Sequence, residues 1–459
     1  MKDKTFIKKY AIYGLFGYKN LELSFNNSIK ILIGENGYGK TTILNSLAYL
    51  LKGEYHNLAQ IKFERIKIEF DDTHIYEFSI NDLKSYNTYM EKQKNNEDGI
   101  ISYINNRIEP SLLSRLIRLV NTDKEKFNEI IEGNDYLNDI PTPIVYRAFL
   151  DLFERHSISK VFNELSTYIN SKGYKILFYP TYRRIEVDLN NIINNTLQNR
   201  RHHIRNEQED ILSSNSIIKF GMKDVEKRRD KICNEISESS LSGFASVSGN
   251  MISKLLEPNY DNKEKHSFDI NEIKIVLSRV GDNMSKDDKE RILSQISTDP
   301  YLSDQNPYLI YFLDQLLSVY KKQEKYDLAI KRFVSTCNKY LSEKVFTYDE
   351  STVSLKLQRT NKLDKSEKIE LTQLSSGEKQ IVSIFSQLYL EPEKKYIVLF
   401  DEPELSLSIF WQEKLLPDMI DSGQCVFMLA VTHSPFIFNN DLKNNTVGLK
   451  EFIKDGNNK

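Results

Sequence analysis

The chain has 459 residues, 40% hydrophobic and 28% charged, with 63 Lys+Arg against 65 Asp+Glu and a formal net charge of −2. That length predicts two or more lobes, the composition excludes a disordered or fibrous chain, and the balanced charge excludes the long-range field of a tail-type nucleic-acid binder while leaving room for a local basic groove. No apolar run approaches the ~20 residues of a membrane span, Met1–Lys9 lacks a signal-peptide core, and Cys233, Cys337 and Cys425 are too scattered for a disulfide scaffold or thiolate metal cage, so a cytoplasmic protein with no membrane partner is expected.

Short apolar runs at Lys9–Tyr13, Leu21–Phe25 and Ile29–Ile33, separated by Gly, Asn and Ser, predict three strands. Beyond Gly39, residues Ile43, Leu44, Leu47, Leu50 and Leu51 recur at helical spacing, giving a strand, glycine loop, helix unit. Ile66, Ile68 and Phe70 then alternate with charge, Asp71 and Asp72 mark a turn, and a second apolar run reaches Ile80, which predicts an antiparallel hairpin.

From about residue 85 to 340 the pattern is mostly helical, as at Leu112–Val120 and Tyr308–Tyr320. No apolar heptad persists through three or four repeats there, so no long coiled-coil arm is expected. Ile176–Tyr179 interrupts the helices as a buried-strand run ending at Pro180. Further on, Thr352–Leu357 alternates as a strand and Gly377 opens a helix through Ile381, Ile384, Phe385 and Leu388. Tyr396–Phe400 and Cys425–Val431 are fully apolar, with a helix at Ile409–Leu416 between them, which predicts parallel strands buried on both faces.

Gly34-Glu35-Asn36-Gly37-Tyr38-Gly39-Lys40-Thr41 matches G-x-x-x-x-G-K-[ST] between a strand and a helix, the context that a phosphate-binding loop requires. Gly34, Gly37 and Gly39 let backbone N–H groups converge on phosphates at a helix N-terminus, with Asn36 and Thr42 completing the cofactor-binding set. Lys40 supplies a charge between the β- and γ-phosphates and the Thr41 hydroxyl a ligand for Mg2+; the bland alternative is a glycine-rich turn. Asp401 and Glu402 follow an apolar strand, where a parallel sheet meets its ligand. Asp401 would complete the Mg2+ site and Glu402 would be the base that orients water, against a solvated acidic pair as the alternative. Ser375 and Gly377 open a helix 24 residues before Asp401, either as an anion site or as an ordinary cap. His433, after the strand ending at Val431, is a fourth strand-end polar group with a catalytic reading beside a structural one.

In this order, Gly34–Thr41, Leu374–Gln380, Phe400-Asp401-Glu402-Pro403 and His433 resemble the Walker A, signature, Walker B and switch histidine of ABC-class ATPases. The 335 residues between Lys40 and Ser375 align the resemblance with the soluble SMC, recombination-repair and OLD group rather than with transporters. Glu402–Leu407 is similar to OLD-like ATPases, although Ser408-Ile409 stands where those carry His-Pro and Ser376 stands where transporters have Gly. Tyr179–Glu186 and Phe220–Val225 look like the ATPase subunits of bacterial antiphage systems, the AriA family of PARIS defence first and the Septu ATPase second.

The resemblance implies an α/β fold, an ABC-type P-loop ATPase head assembled from both chain ends with a large helical insertion: an N-terminal lobe at 1–85, the insertion at 86–340 and a C-terminal lobe at 341–459. It implies ATP and Mg2+ as cofactors, and a homo-oligomer, dimer or larger, in which one subunit's signature covers ATP held by another. It also implies partners: an effector nuclease of TOPRIM type and a phage trigger protein. Only 26 residues follow His433, so no nuclease domain, and no nuclease activity of this chain, is expected. The rivals are a repair ATPase clamping duplex DNA, which needs long arms or a basic surface, and a transporter subunit. Arg183, Arg184, Arg200, Arg201 and Arg205, with His202 and His203, form a basic run that reads first as a solvated helix face and second as a contact for nucleic acid or an acidic partner.

Overall fold

The computed structural model describes residues 5–35, 37–95, 104, 107–134, 136–137, 140–180, 221–256, 267–302, 307–360 and 366–455. In chain order the elements are strands β1 (Ile7–Leu15), β2 (Lys19–Ser24) and β3 (Ile29–Ile33), helix α1 (Lys40–Lys52), strands β4 (Arg65–Phe70) and β5 (Ile75–Ser79), helices α2 (Ile80–Asn95), α3 (Pro110–Thr122), α4 (Lys124–Glu132) and α5 (Thr142–Ser171), and strand β6 (Lys175–Tyr179). There follow helices α6 (Met222–Leu255), α7 (Ile270–Arg279), α8 (Lys286–Thr298) and α9 (Pro307–Asn338), strands β7 (Lys344–Asp349), β8 (Ser354–Thr360) and β9 (Ser366–Lys368), helix α10 (Ser376–Tyr389), strand β10 (Tyr396–Asp401), helix α11 (Ile409–Asp421), and strands β11 (Cys425–Thr432), β12 (Thr446–Gly448) and β13 (Ile453–Asp455). The basic run 183–205 and the motif Thr181–Glu186 lie outside the described residues. No helix among the described residues is long and apolar enough to cross a membrane.

The chain divides into two compact units, one of Met1–Tyr182, Tyr396–Pro403 and Val426–Lys459, the other of Arg183–Lys395 and Glu404–Cys425. These bounds differ from the expected 1–85, 86–340 and 341–459, because the helical stretch is shared between the units. The first unit holds two sheets. One is antiparallel, in the order β13-β2-β1-β4-β5, and contains the expected hairpin; the other has the order β12-β3-β11-β10-β6. In the latter β3 runs parallel to both β11 and β12, and β10 runs parallel to β6. All six residues of β10 are buried, as the uninterrupted apolar run predicts for a strand covered on both faces. Helix α1 shares a core with both sheets: Ile43, Leu47 and Leu50 pack with Ile12, Leu399 and Leu429. Tyr10 ties the first sheet to α1, its hydroxyl donating to Ser46 Oγ at 2.8 Å.

The run Ile176–Tyr179 is more than an interruption of helices. As β6 it forms the edge of the central sheet, with Tyr179 level with Phe400 and their rings 4.8 Å apart. Helices α3, α4 and the first half of α5 enclose a separate core of Leu116, Val120, Phe127, Ile131 and Phe149. The second half of α5 returns Phe162, Leu165 and Ile169 to the main core.

In the second unit, α6 and α9 contain 34 and 32 residues, on the order of 50 Å each. They run antiparallel, since Ser240, Gly243 and Phe244 meet Gln323, Val319 and Phe312 respectively. The lack of heptads predicts no long coiled-coil arm, yet a long antiparallel helix pair forms. Gly243 permits close approach, as a Cβ there would stand 2.4 Å from Val319 Cγ1. A buried polar network supplies the rest. Arg279 donates to Asp327 at 2.6 Å and to Gln323 at 3.0 Å, Tyr348 donates to Asp327 at 2.5 Å, and Ser240 donates to Gln323 at 3.0 Å. At the far end of the pair, α7 and α8 close a small core of Phe268, Ile273, Leu277, Ile296, Leu313 and Leu316. The three-stranded sheet β7-β8-β9 and helices α10 and α11 complete this unit.

Candidate functional site

Three neighbouring strands of the first unit end side by side. Ile33, the last residue of β3, is level with Thr432, the last of β11, so Gly34 and His433 leave the sheet from adjacent parallel strands. On the other side of β11, the amide of Glu402, just past β10, donates to Val431 O at 2.8 Å. This register brings together the phosphate loop, Asp401, Glu402 and His433, the residues that sequence spacing alone singles out. Ser375 and Gly377 belong to the second unit, and Asn36 lies outside the described residues.

The loop conformation is dictated by its glycines. Gly37 and Gly39 take φ of 87° and 84°, left-handed values that L side chains rarely adopt. Gly39 has a second constraint: it caps α1, and a Cβ there would stand 2.8 Å from the Phe16 ring. Lys40 opens α1 and is only 6% exposed. Its buried ammonium donates to the carbonyls of Gly34 and, at 2.9 Å, Glu35, which offset the loss of water. Thr41 and Thr42 follow in the first turn of α1 and are half-buried. The first turn carries no acidic residue, so nothing there cancels the partial positive charge of the helix N-terminus.

Asp401 is 2% exposed at the end of the fully buried strand. Glu402 takes φ of 50°, an uncommon value for a residue with a side chain, and its amide bond to β11 holds it there. His433 is exposed beyond β11. A buried carboxylate at a strand end and the hydroxyl of a phosphate-loop threonine are hard oxygen donors, the kind that suit Mg2+. Converging amides and a buried ammonium suit the oxygens of a triphosphate.

In the second unit Ser375 caps α10 in a capping box. Its backbone N–H donates to Glu378 Oε2 at 2.7 Å, and Glu378 N donates to Ser375 Oγ at 3.4 Å. Glu378 also pairs with Lys344 at 2.7 Å. Burial opposes its ionisation, but the bonds from Lys344 and Ser375 outweigh it and hold the carboxyl below the usual value. Gly377 is required by packing, because a Cβ would come within 2.8 Å of Ser406 O and 3.1 Å of Trp411. Local structure thus accounts for this serine and glycine without an anion.

Two features escape sequence reading. The strand Ile176–Tyr179 is legible but its partner is not: β6 pairs with β10 and sets Tyr179 level with Phe400, next to Asp401. Lys450, after β12, reaches the phosphate loop and bonds Glu35 Oε1 at 3.0 Å. A three-residue strand such as β12 carries no periodicity by which to find it.

The family described as "AAA domain, putative AbiEii toxin, Type IV TA system" matches residues 29–439, from β3 to beyond His433. The chain belongs to this family. Over 444 residues it is 23% identical to the retron Vc95 probable ATPase of Vibrio cholerae serotype O1 biovar El Tor, covering 92% of this chain and 70% of that protein. It is 26% identical over 230 residues to the DNA replication and repair protein RecF of Agathobacter rectalis, covering 49% of this chain and 60% of RecF. A shorter stretch of 65 residues is 37% identical to the Septu protein PtuA of Bacillus thuringiensis, 14% of this chain and 15% of that one. The expected class, an α/β ATPase head with a large helical region, is the class of this AAA-domain family and of the fold itself. The Septu ATPase, second in the sequence resemblance, is among the relatives.

Proposed function

We propose that this chain is the ATP-driven switch of an antiphage defence system of the PARIS type, which stores a toxic TOPRIM-type nuclease and releases it when a phage trigger protein arrives. The observation that carries the ATP site is the strand register, with Gly34 and His433 leaving level neighbours and Glu402, on the other side of β11, donating to Val431 O. Gly34, Gly37, Gly39, Lys40 and Thr42, with Asn36, would hold the triphosphate; Thr41 and Asp401 would hold Mg2+, which neutralises charge between the β- and γ-phosphates. Glu402 would orient and deprotonate the attacking water from its place just past β10. His433 would sense the γ-phosphate from the neighbouring strand. Ser375 and Gly377 would cover ATP held by a second copy, so ATP assembles subunits and hydrolysis separates them. The match to a retron ATPase over most of the chain supports a defence role.

The test is phage challenge of cells carrying this gene with its neighbour. Protection is expected, and Lys40→Ala, which removes the charge facing the phosphates, should abolish both protection and ATP binding. Protection that survives Lys40→Ala would overturn the switch. A second reading, a repair ATPase clamping duplex DNA, is favoured by the match to RecF and by the long antiparallel pair α6 and α9. That reading expects hydrolysis stimulated by duplex DNA and no dependence on a toxic neighbour.

A further inference from the structure

The phosphate loop is held by a segment far from it in sequence. Strand β12 lies along β3, with Gly448 level with Ile33, and β13 lies along β2, with Ile453 level with Leu21. The helical turn Leu449–Phe452 between them is thereby fixed at the start of the loop. Leu449 is fully buried, and its Cβ lies 3.3 Å from where a Cβ on Gly34 would stand. Beside it, Lys450 Nζ meets Glu35 Oε1 at 3.0 Å and sits 5.0 Å from the centre of the Tyr38 ring. Lys19 Nζ, from the first residue of β2, is 5.2 Å from the same ring. One ammonium therefore contacts two residues of the loop, Glu35 at its start and Tyr38 between its left-handed glycines.

We propose that Lys450 is a positioning residue of the phosphate loop: by holding Glu35 and Tyr38 it keeps the amides of Gly37, Tyr38 and Gly39 in place before the nucleotide arrives. The inference rests on the ATP reading of this loop. Lys450 and Glu35 are both exposed, so their pair contributes little to global stability. Its effect is local, on a loop whose glycines at φ 87° and 84° bring no side-chain packing of their own. Glu35 and then Tyr38 raise the Lys450 pKa above the usual lysine value, so the ammonium stays charged through the physiological range. Preorganisation of this kind acts on binding and leaves the chemical step alone.

Full-length Lys450→Met should raise KM for ATP about three- to fivefold with kcat changed less than about twofold. Lys450→Arg should restore KM, and Glu35→Gln should give the same rise with no further increase in the double variant. In the nucleotide-free protein, the amides of Gly37, Tyr38 and Gly39 should exchange several-fold faster in Lys450→Met than in wild type. Unchanged KM with unchanged exchange overturns the proposal. So does a joint fall in kcat and thermal midpoint at constant KM, which would make Lys450 a structural residue only. If the wild type binds no ATP at all, the nucleotide reading fails by itself, and the exchange experiment still decides whether Lys450 restrains the loop.

Discussion

Two polar clusters of this chain are buried by opposite means. At the strand ends of the first unit, Lys40 and Asp401 are charged groups set at the edge of apolar elements, and the backbone supplies the geometry: loop carbonyls for the ammonium, a strand terminus for the carboxylate. In the second unit, Arg279 and Asp327 are sealed inside, 3% and 2% exposed at the side chain; Arg279 donates to Asp327, Gln323 and the Glu350 carbonyl, and Tyr348 donates to Asp327. The first adjoins accessible residues, half-buried Thr41 and exposed His433. The second stabilises only itself, because the desolvation of two ions offsets most of their attraction.

The sharpest break of this comparison is Glu402→Gln. It leaves Lys40, Thr41 and Asp401 intact, so ATP binding should persist while kcat falls by about 10²- to 10⁴-fold. Nucleotide binding by calorimetry alongside single-turnover hydrolysis checks this, and hydrolysis at the wild-type rate would move the base elsewhere. The next effect belongs to the sealed cluster. Arg279→Met should cost about 3–5 kcal/mol in denaturant unfolding, since it strands the Asp327 carboxylate. The double change Arg279→Met with Asp327→Leu should recover most of that loss. A double variant no more stable than the single one would show that the network does more than neutralise its own charges.

The same contrast explains what could be read from the sequence. The phosphate loop, β3, β10, β11 and the helices after them were legible because each is a local signal, a glycine motif or an apolar run of one period. Ile29–Ile33 coincides with β3, and Tyr396–Phe400 falls one residue short of β10. What stayed hidden depends on partners distant in sequence. Ile176–Tyr179 reads as a strand, but nothing local says that it pairs with β10 more than 200 residues later. The α6–α9 pair escapes the heptad test because its contacts mix Gly243, the Arg279 network and apolar residues such as Val247, Leu313 and Leu316. Lys450 is invisible for the same reason, being one lysine among many until β12 brings it to Glu35.

Gly377 lies between the two extremes, since the glycine of a ligand motif is here also fixed by packing. Gly377→Ala places a methyl 2.8 Å from Ser406 O, a backbone atom of a segment bent at φ 65°. Overpacking of this kind should cost about 1–3 kcal/mol, measured as a drop in the unfolding midpoint. A variant as stable as the wild type would mean that the segment after Glu404 can yield, and would return Gly377 to a purely ligand-directed reading.

The smallest expected effect concerns the capping box, and pH separates its parts. Glu378 ionises below the usual glutamate value of 4.5 in the folded chain, because the bonds from Lys344 and Ser375 outweigh the opposing effect of burial. A carboxyl whose folded pKa is depressed contributes fully at pH above its unfolded value, and the contribution is lost as the pH falls from about 4.5 through the folded value. Glu378→Gln keeps a side chain able to accept from the Ser375 amide but loses the ion pair with Lys344 at 2.7 Å. It should therefore be less stable than the wild type by about 1 kcal/mol at pH 7, with the difference closing as the pH drops below 4. Ser375→Ala, which removes a cap with no titrating atom, should lose a similar ~1 kcal/mol at both pH values. Unfolding midpoints of the three proteins between pH 7 and pH 3 decide the matter. A constant gap between wild type and Glu378→Gln would mean that the glutamate acts through its shape, and the helix that carries Ser375 and Gly377 would then owe nothing to its pairing with Lys344.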